Sequence, residues 1–180
     1  MSAFGKLLRP LRAGSRDLAW NRFKDVPETI AVTSTAFADG APMPRRYAGS
    51  GVGDNVSPPL RFSGVSDDAT ELVLIVQDID VPLPRPAVHL IAQLPASRTD
   101  LPEAALRSDA PVTFGRGTLG RGYLGPRPIA GHGPHRYVFQ VFALIHPLHL
   151  PPSAGLRAYV AAMKGKVLAR GRMSGTYERR

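Results

Sequence analysis

Two histidines and an aspartate, far apart along the chain, are the side chains best suited to chemistry. His135 stands in the run Gly131-His132-Gly133-Pro134-His135-Arg136-Tyr137-Val138-Phe139. His89 follows the turn Asp78-Ile79-Asp80-Val81-Pro82, and a second glycine- and proline-rich loop runs from Gly120 to Pro128. Brought together, Asp78, His89 and His135 form a small pocket floored by glycine and proline. Imidazole N–H groups and free backbone amides donate hydrogen bonds, and glycine permits close approach, so the expected ligand is a compact anion. Asp78, at a strand end, either caps its turn or orients an imidazole, and the turn preference of aspartate favours capping. Asp80 reads as a turn residue, His132 as a solvated loop residue, and His146 and His149 as surface positions.

Other chemistries fit these residues less well. His132-Gly-Pro-His135 has no neighbouring third ligand and the helical His-Glu-x-x-His pattern is missing, so no metal is expected; Asp78, His89 and His135 together are the one metal arrangement left open. Gly49-Ser50-Gly51 lacks the spacing of a nucleophile elbow, and Gly115-Arg-Gly-Thr-Leu-Gly120 lacks the lysine and hydroxyl residue of a phosphate-cradling loop. The alternative to a binder is a weak hydrolase or lyase with His135 or His89 as general base on water, since no serine or cysteine in these motifs stands ready to attack.

These side chains need strands to position them. Glu71 to Gln77 is an unbroken apolar run, read as a buried strand. Pro86 to Leu94 alternates, with Val88, Leu90, Ala92 and Leu94 on one face and His89 on the other. Arg136 to Leu144 places Tyr137, Phe139, Val141 and Ala143 on one side. Shorter strands are expected around Ile30 to Ser34 and Leu60 to Phe62. After Pro151-Pro152-Ser153 a helix is expected, carrying Leu156, Val160, Met163 and Val167 at helical spacing and stopping at Gly171. The irregular stretch Leu106 to Pro134 is long enough to be read as functional. Strands first and one helix near the end predict a mainly β fold, an antiparallel β-sandwich with peripheral short helices and a C-terminal helix.

Composition bounds the rest. The chain has 180 residues, 43% of them apolar, which predicts one domain with a real core. Glycine and proline number 18 each, which implies many turns and short strands. Cysteine is absent, which excludes disulfides and a thiol nucleophile and fits a cytoplasmic location. The net charge of +9 sits at the ends: residues 1–24 carry +5, residues 157–180 carry +6, and the middle is −2. Basic ends on a near-neutral body, without interleaved aromatics, argue against nucleic acid and for an acidic protein or anionic membrane surface as a possible partner. Residues 1–28 are expected as a basic N-terminal arm, mobile or loosely docked, preceding a single domain over 29–180. The N-terminus lacks a continuous apolar signal region, and no run approaches the roughly 20 apolar residues of a membrane span.

From about Asn55 to Tyr177 the chain resembles the phosphatidylethanolamine-binding protein family, in its bacterial Raf-kinase-inhibitor-like branch. The resemblance rests on Asn55-Val-Ser57-Pro58-Pro59-Leu60, on Leu74-Ile-Val-Gln-Asp78-Ile-Asp80-Val-Pro82 with Val88-His89, and on Gly122-Tyr123-Leu-Gly125-Pro126-Arg-Pro128. The His135 run and Leu168-Ala-Arg-Gly171-Arg-Met-Ser-Gly175-Thr176-Tyr177 complete it. It implies a β-sandwich with an anion pocket of Asp78, His89, His135 and Tyr137, walled by Tyr123, Gly125 and Pro128. It also implies binding of phosphate or a phosphoethanolamine-type head group without a cofactor, and a regulatory role toward a protein partner. Several positions depart from the family pattern: Asp78-Ile79-Asp80-Val81-Pro82 stands for Asp-Pro-Asp-Ala-Pro, Leu90 for a tryptophan, Ile129 for a proline and Gly117 for an asparagine.

Overall fold

The computed structural model describes residues 3–179. A short helix, α1 (Ala3–Leu8), precedes five strands: β1 (Ala31–Thr33), β2 (Leu60–Ser63), β3 (Glu71–Asp78), β4 (Ala87–Pro95) and β5 (Asp100–Leu101). The chain continues through β6 (Thr113–Phe114), β7 (His135–Leu144), α2 (Leu156–Met163) and β8 (Val167–Tyr177). Two antiparallel sheets result, with strand orders β1-β2-β5 and β6-β4-β3-β7-β8. The β-rich sandwich expected from the sequence is therefore the fold.

The large sheet is buried on both faces, which is why β3 reads as an unbroken apolar run. Leu72, Leu74 and Val76 point inward to a core shared with Val32, Leu60, Phe62 and Leu101 of the small sheet and with Ile30 just before it. Val73 and Ile75 point outward, into a second core with Trp20, Phe23, Tyr159 and Met163. On β7, Tyr137, Phe139, Val141 and Ala143 face inward as their alternation predicts.

The C-terminal helical reading runs too far. The helix α2 ends at Met163, the chain turns through Gly165, and Val167–Tyr177 is the longest strand of the sheet. The apolar spacing that suggested a helix to Gly171 loses to pairing with β7, which β8 follows from His135↔Tyr177 to Leu144↔Val167. Gly171 serves a close approach rather than a helix stop: a Cβ there would lie 1.9 Å from the Ile30 carbonyl oxygen of the segment leading into β1.

The basic N-terminal segment is docked, contrary to the loose arm expected. Ala19 N–H donates to Gln77 Oε1 at 2.8 Å and Trp20 N–H to Gln140 Oε1 at 2.7 Å, so two buried glutamines of β3 and β7 hold it. The Trp20 ring carries the guanidinium groups of Arg170 at 3.9 Å and Arg172 at 4.6 Å. Arg170 also donates to the backbone carbonyls of Trp20, Lys24 and Val26. Earlier in the segment, Phe4, Leu7 and Leu11 are exposed. Trp20→Ala is expected to lower unfolding free energy by about 3–5 kcal/mol, as for a buried core aromatic, in urea denaturation; a loosely held arm would leave stability unchanged.

Candidate functional site

Sheet register assembles the site. Asp78 closes β3 and pairs with Tyr137 of β7, two residues beyond His135, so His135 and Tyr137 share one face at the end of the sheet. His89 reaches them through a β-bulge. The β3–β4 register passes from Val76↔Leu90 to Gln77↔Val88, leaving His89 as the extra residue. Bulges re-aim side chains: Val88 joins the outer core, while the His89 ring meets Tyr137 edge-on with centroids 5.1 Å apart. The strict alternation read from the sequence, which set His89 opposite Leu90, breaks here.

The four residues predicted to converge do so, and all are nearly sealed: Asp78 is 3% exposed, His89 5%, His135 1% and Tyr137 1%. Asp78 both caps and orients. Its Oδ1 accepts from Asp80 N–H at 2.8 Å, and its Oδ2 lies 2.7 Å from His135 Nδ1.

His132 is a member the sequence reading placed in solvent. It is fully buried, with its Nδ1 2.7 Å from His135 Nε2. Its Nε2 lies 2.9 Å from the Leu8 carbonyl oxygen and 3.2 Å from that of Leu11. The signal available was the glycine on either side: Gly131 and Gly133 have φ of +82° and +98°, and the chain doubles back so that the two rings meet. Carbonyls only accept, so His132 Nε2 carries a hydrogen. Facing the carboxylate, His135 Nδ1 is a donor too, and the contact between the rings takes up the two remaining nitrogens. Every nitrogen of the pair is thus engaged internally.

His89 differs. Its Nδ1–H donates to the Leu124 carbonyl at 2.6 Å, and Leu124 N–H returns a bond to the His89 carbonyl at 3.2 Å. Burial pushes its pKa down, against smaller raising effects of the Leu124 bond and Asp78, and so favours the neutral ring. With Nδ1 protonated, Nε2 is a bare acceptor, and it has no hydrogen-bond partner among the described residues. Beside it, the Tyr137 hydroxyl is buried without a hydrogen bond. Burial first, then the Asp78 carboxylate, push Tyr137 ionisation far up; the carboxylate acts on the phenol without forming a well-aligned bond to it. Tyr137 therefore stays a donor.

The expected wall residues are held in different ways. Gly125 N–H donates to Asn55 Oδ1 at 2.8 Å, and a Cβ on Gly125 would lie 2.1 Å from the Tyr47 carbonyl oxygen. Tyr123 spends its hydroxyl on the same Tyr47 carbonyl at 2.9 Å, and Pro128 is buried. Asn55, with φ of +55°, clamps the loop that holds His89 through Leu124. Its role was not evident from sequence. Among the described residues, one open surface depression is bordered by Pro134 and Tyr177 and another by Arg45 and Gly51; the four site residues line neither.

Asp80 is also more than a turn residue. Its carboxylate accepts from Arg136 N, Nε and Nη2 at 2.8–2.9 Å and from Arg12 Nη1 at 2.9 Å. Arg12 also donates to the Pro134 carbonyl and Arg9 to that of Gly131, so residues 9–12 are strapped across the His132 loop.

The β-sandwich thus carries a buried acid–imidazole cluster at one end of its large sheet. The family model "Phosphatidylethanolamine-binding protein" matches residues 33–178, and the chain belongs to that family. It is 38% identical over 153 residues to a UPF0098 protein of Pyrococcus horikoshii, covering 82% of this chain and 76% of that one. It is 36% identical over 156 residues to a lipoprotein, LppC, of Mycobacterium tuberculosis, covering 84% and 73%. A Chlamydia trachomatis homologue superposes with a TM-score of 0.77 at 33% identity, covering 85% of this chain and 99% of its own. Escherichia coli YbcL gives 0.78 at 28% identity, covering 84% and 99%. The strap lies before the matched residues.

Burial raises the pKa of Asp80, but hydrogen bonds from Arg136 and Arg12 outweigh it and bring the carboxyl from 3.8 to about 2. A depressed acid contributes stability above its unfolded pKa and loses it as pH falls through the folded one. Asp80 therefore contributes on the order of 2 kcal/mol near neutrality, lost between about pH 4 and pH 2. Asp80→Asn is expected to lower stability near pH 7 and to flatten its decline across that window, read from urea midpoints. An acid limb identical to wild type would contradict this.

Proposed function

We propose that the protein is a non-catalytic binder of a small oxyanion, of the kind carried by phosphate or a phosphoryl head group, at Tyr137 and His89. The observation that carries this reading is the unpaired Tyr137 hydroxyl. A sealed phenol without a partner costs about 1–3 kcal/mol, and an oxygen of a bound anion would recover that cost. The Arg127 backbone acts on the same hydroxyl, which supports the Gly120–Pro128 loop as a further source of donors. Asp78 and the His132–His135 pair act indirectly in this reading: they fix the sheet end and the rings rather than touch the ligand.

A second reading is favoured by one feature. A bare Nε2 on a neutral ring is what a general base presents, so hydrolysis through water would use His89 rather than His135.

Calorimetric titration with inorganic phosphate separates these roles. Tyr137→Phe removes a hydroxyl that makes no hydrogen bond within the protein, so folding stability is expected to hold or rise by about 1–3 kcal/mol while phosphate affinity falls roughly 10-fold or more. His135→Ala is expected to destabilise by about 3–5 kcal/mol, because it strands Asp78 and His132 in the interior. Unchanged affinity in Tyr137→Phe would reject the binding role. Turnover of ester or phosphoester substrates that is lost in His89→Ala would replace the binder with a catalyst.

A further inference from the structure

The two unpaired atoms of the site are not alike. One, Tyr137 Oη, donates; the other, His89 Nε2, accepts, because His89 Nδ1 is committed as a donor to the Leu124 carbonyl at 2.6 Å. Their rings are in edge-to-face contact at 5.1 Å, so one small ligand meets both. An oxyanion without hydrogen satisfies Tyr137 and repels the His89 lone pair. A ligand with both an acceptor oxygen and an O–H satisfies both.

Building on the oxyanion reading above, we propose that this site selects an oxyacid that retains a proton: hydrogen phosphate, or a phosphomonoester in its singly charged form. Phosphodiesters, including an intact phospholipid head group, and sulfate lack that proton and are discriminated against. The selection lies in a single lone pair, held in place by the Leu124 carbonyl at the His89 bulge. Burial favours the neutral form of that ring, and the titratable groups flanking it are Asp78, His135, His132 and Tyr137.

The test uses the full chain and four probes, followed by calorimetry from about pH 5 to pH 8. Inorganic phosphate keeps a P–OH throughout this range and is expected to bind at every pH. Methyl phosphate loses its last proton near pH 6, as phosphomonoesters do, and its affinity is expected to fall roughly tenfold per pH unit above that point. Dimethyl phosphate, standing for a lipid diester, and sulfate are expected to bind roughly 10- to 100-fold more weakly than phosphate at about pH 7. Sulfate or dimethyl phosphate binding as tightly as phosphate, or methyl phosphate affinity flat with pH, overturns the proton requirement and leaves the oxyanion site standing. Failure of all four probes to bind rejects the site itself.

Discussion

A carboxylate and two imidazoles can be buried together only if every hydrogen-bonding position among them is met. In this protein that requirement is satisfied by a continuous chain, from Asp78 through His135 and His132 to the carbonyls of Leu8 and Leu11. The chain fixes much else. It needs Asp78 level with the start of β7, which the β3–β7 register supplies, and it needs the N-terminal segment laid over the His132 loop. Asp80 secures both sides by holding Arg136 of β7 and Arg12 of the strap on one buried carboxylate.

Because that cluster is internally complete, the site's chemistry is displaced onto its neighbours. His135 has no free nitrogen to offer, and Tyr123 spends its hydroxyl on Tyr47. What remains is one donor and one acceptor, Tyr137 Oη and His89 Nε2, held close by a bulge in β4 and by the loop that Asn55 ties down. The cluster therefore resembles a foundation: it sets the shape of its surroundings while the unpaired donor and acceptor lie beside it.

The sequence made much of this legible, and the failures share a cause. The β3, β4 and β7 strands showed in their apolar patterns, and the order and intervals of the Asn55, Asp78, Gly122 and His135 motifs pointed to the family. The pairing of Asp78 with His135 was readable as residue types suited to each other. Asp80 and the N-terminal segment were misread because their partners lie more than 50 residues away, and His132 because the carbonyls of Leu8 and Leu11 that bury it are equally distant although its ring partner His135 is close by; local polarity predicts solvent for each. His89 was placed on the wrong face because a bulge shifts the period by one residue and leaves no mark in composition. The β8 strand was hidden because Leu156, Val160, Met163 and Val167 keep helical spacing across the real helix end. Tertiary pairing decided all of these.

The central claim is that His89, through a protonated Nδ1 and a bare Nε2, and not His135, meets the ligand. Nitrogen-15 NMR of the imidazole rings, with and without inorganic phosphate, tests it most directly. The account predicts an unprotonated Nε2 signal for His89 that shifts on phosphate addition, while the ring nitrogens of His132 and His135 keep their positions. A phosphate-dependent shift at His135 Nε2 with His89 unmoved would contradict it.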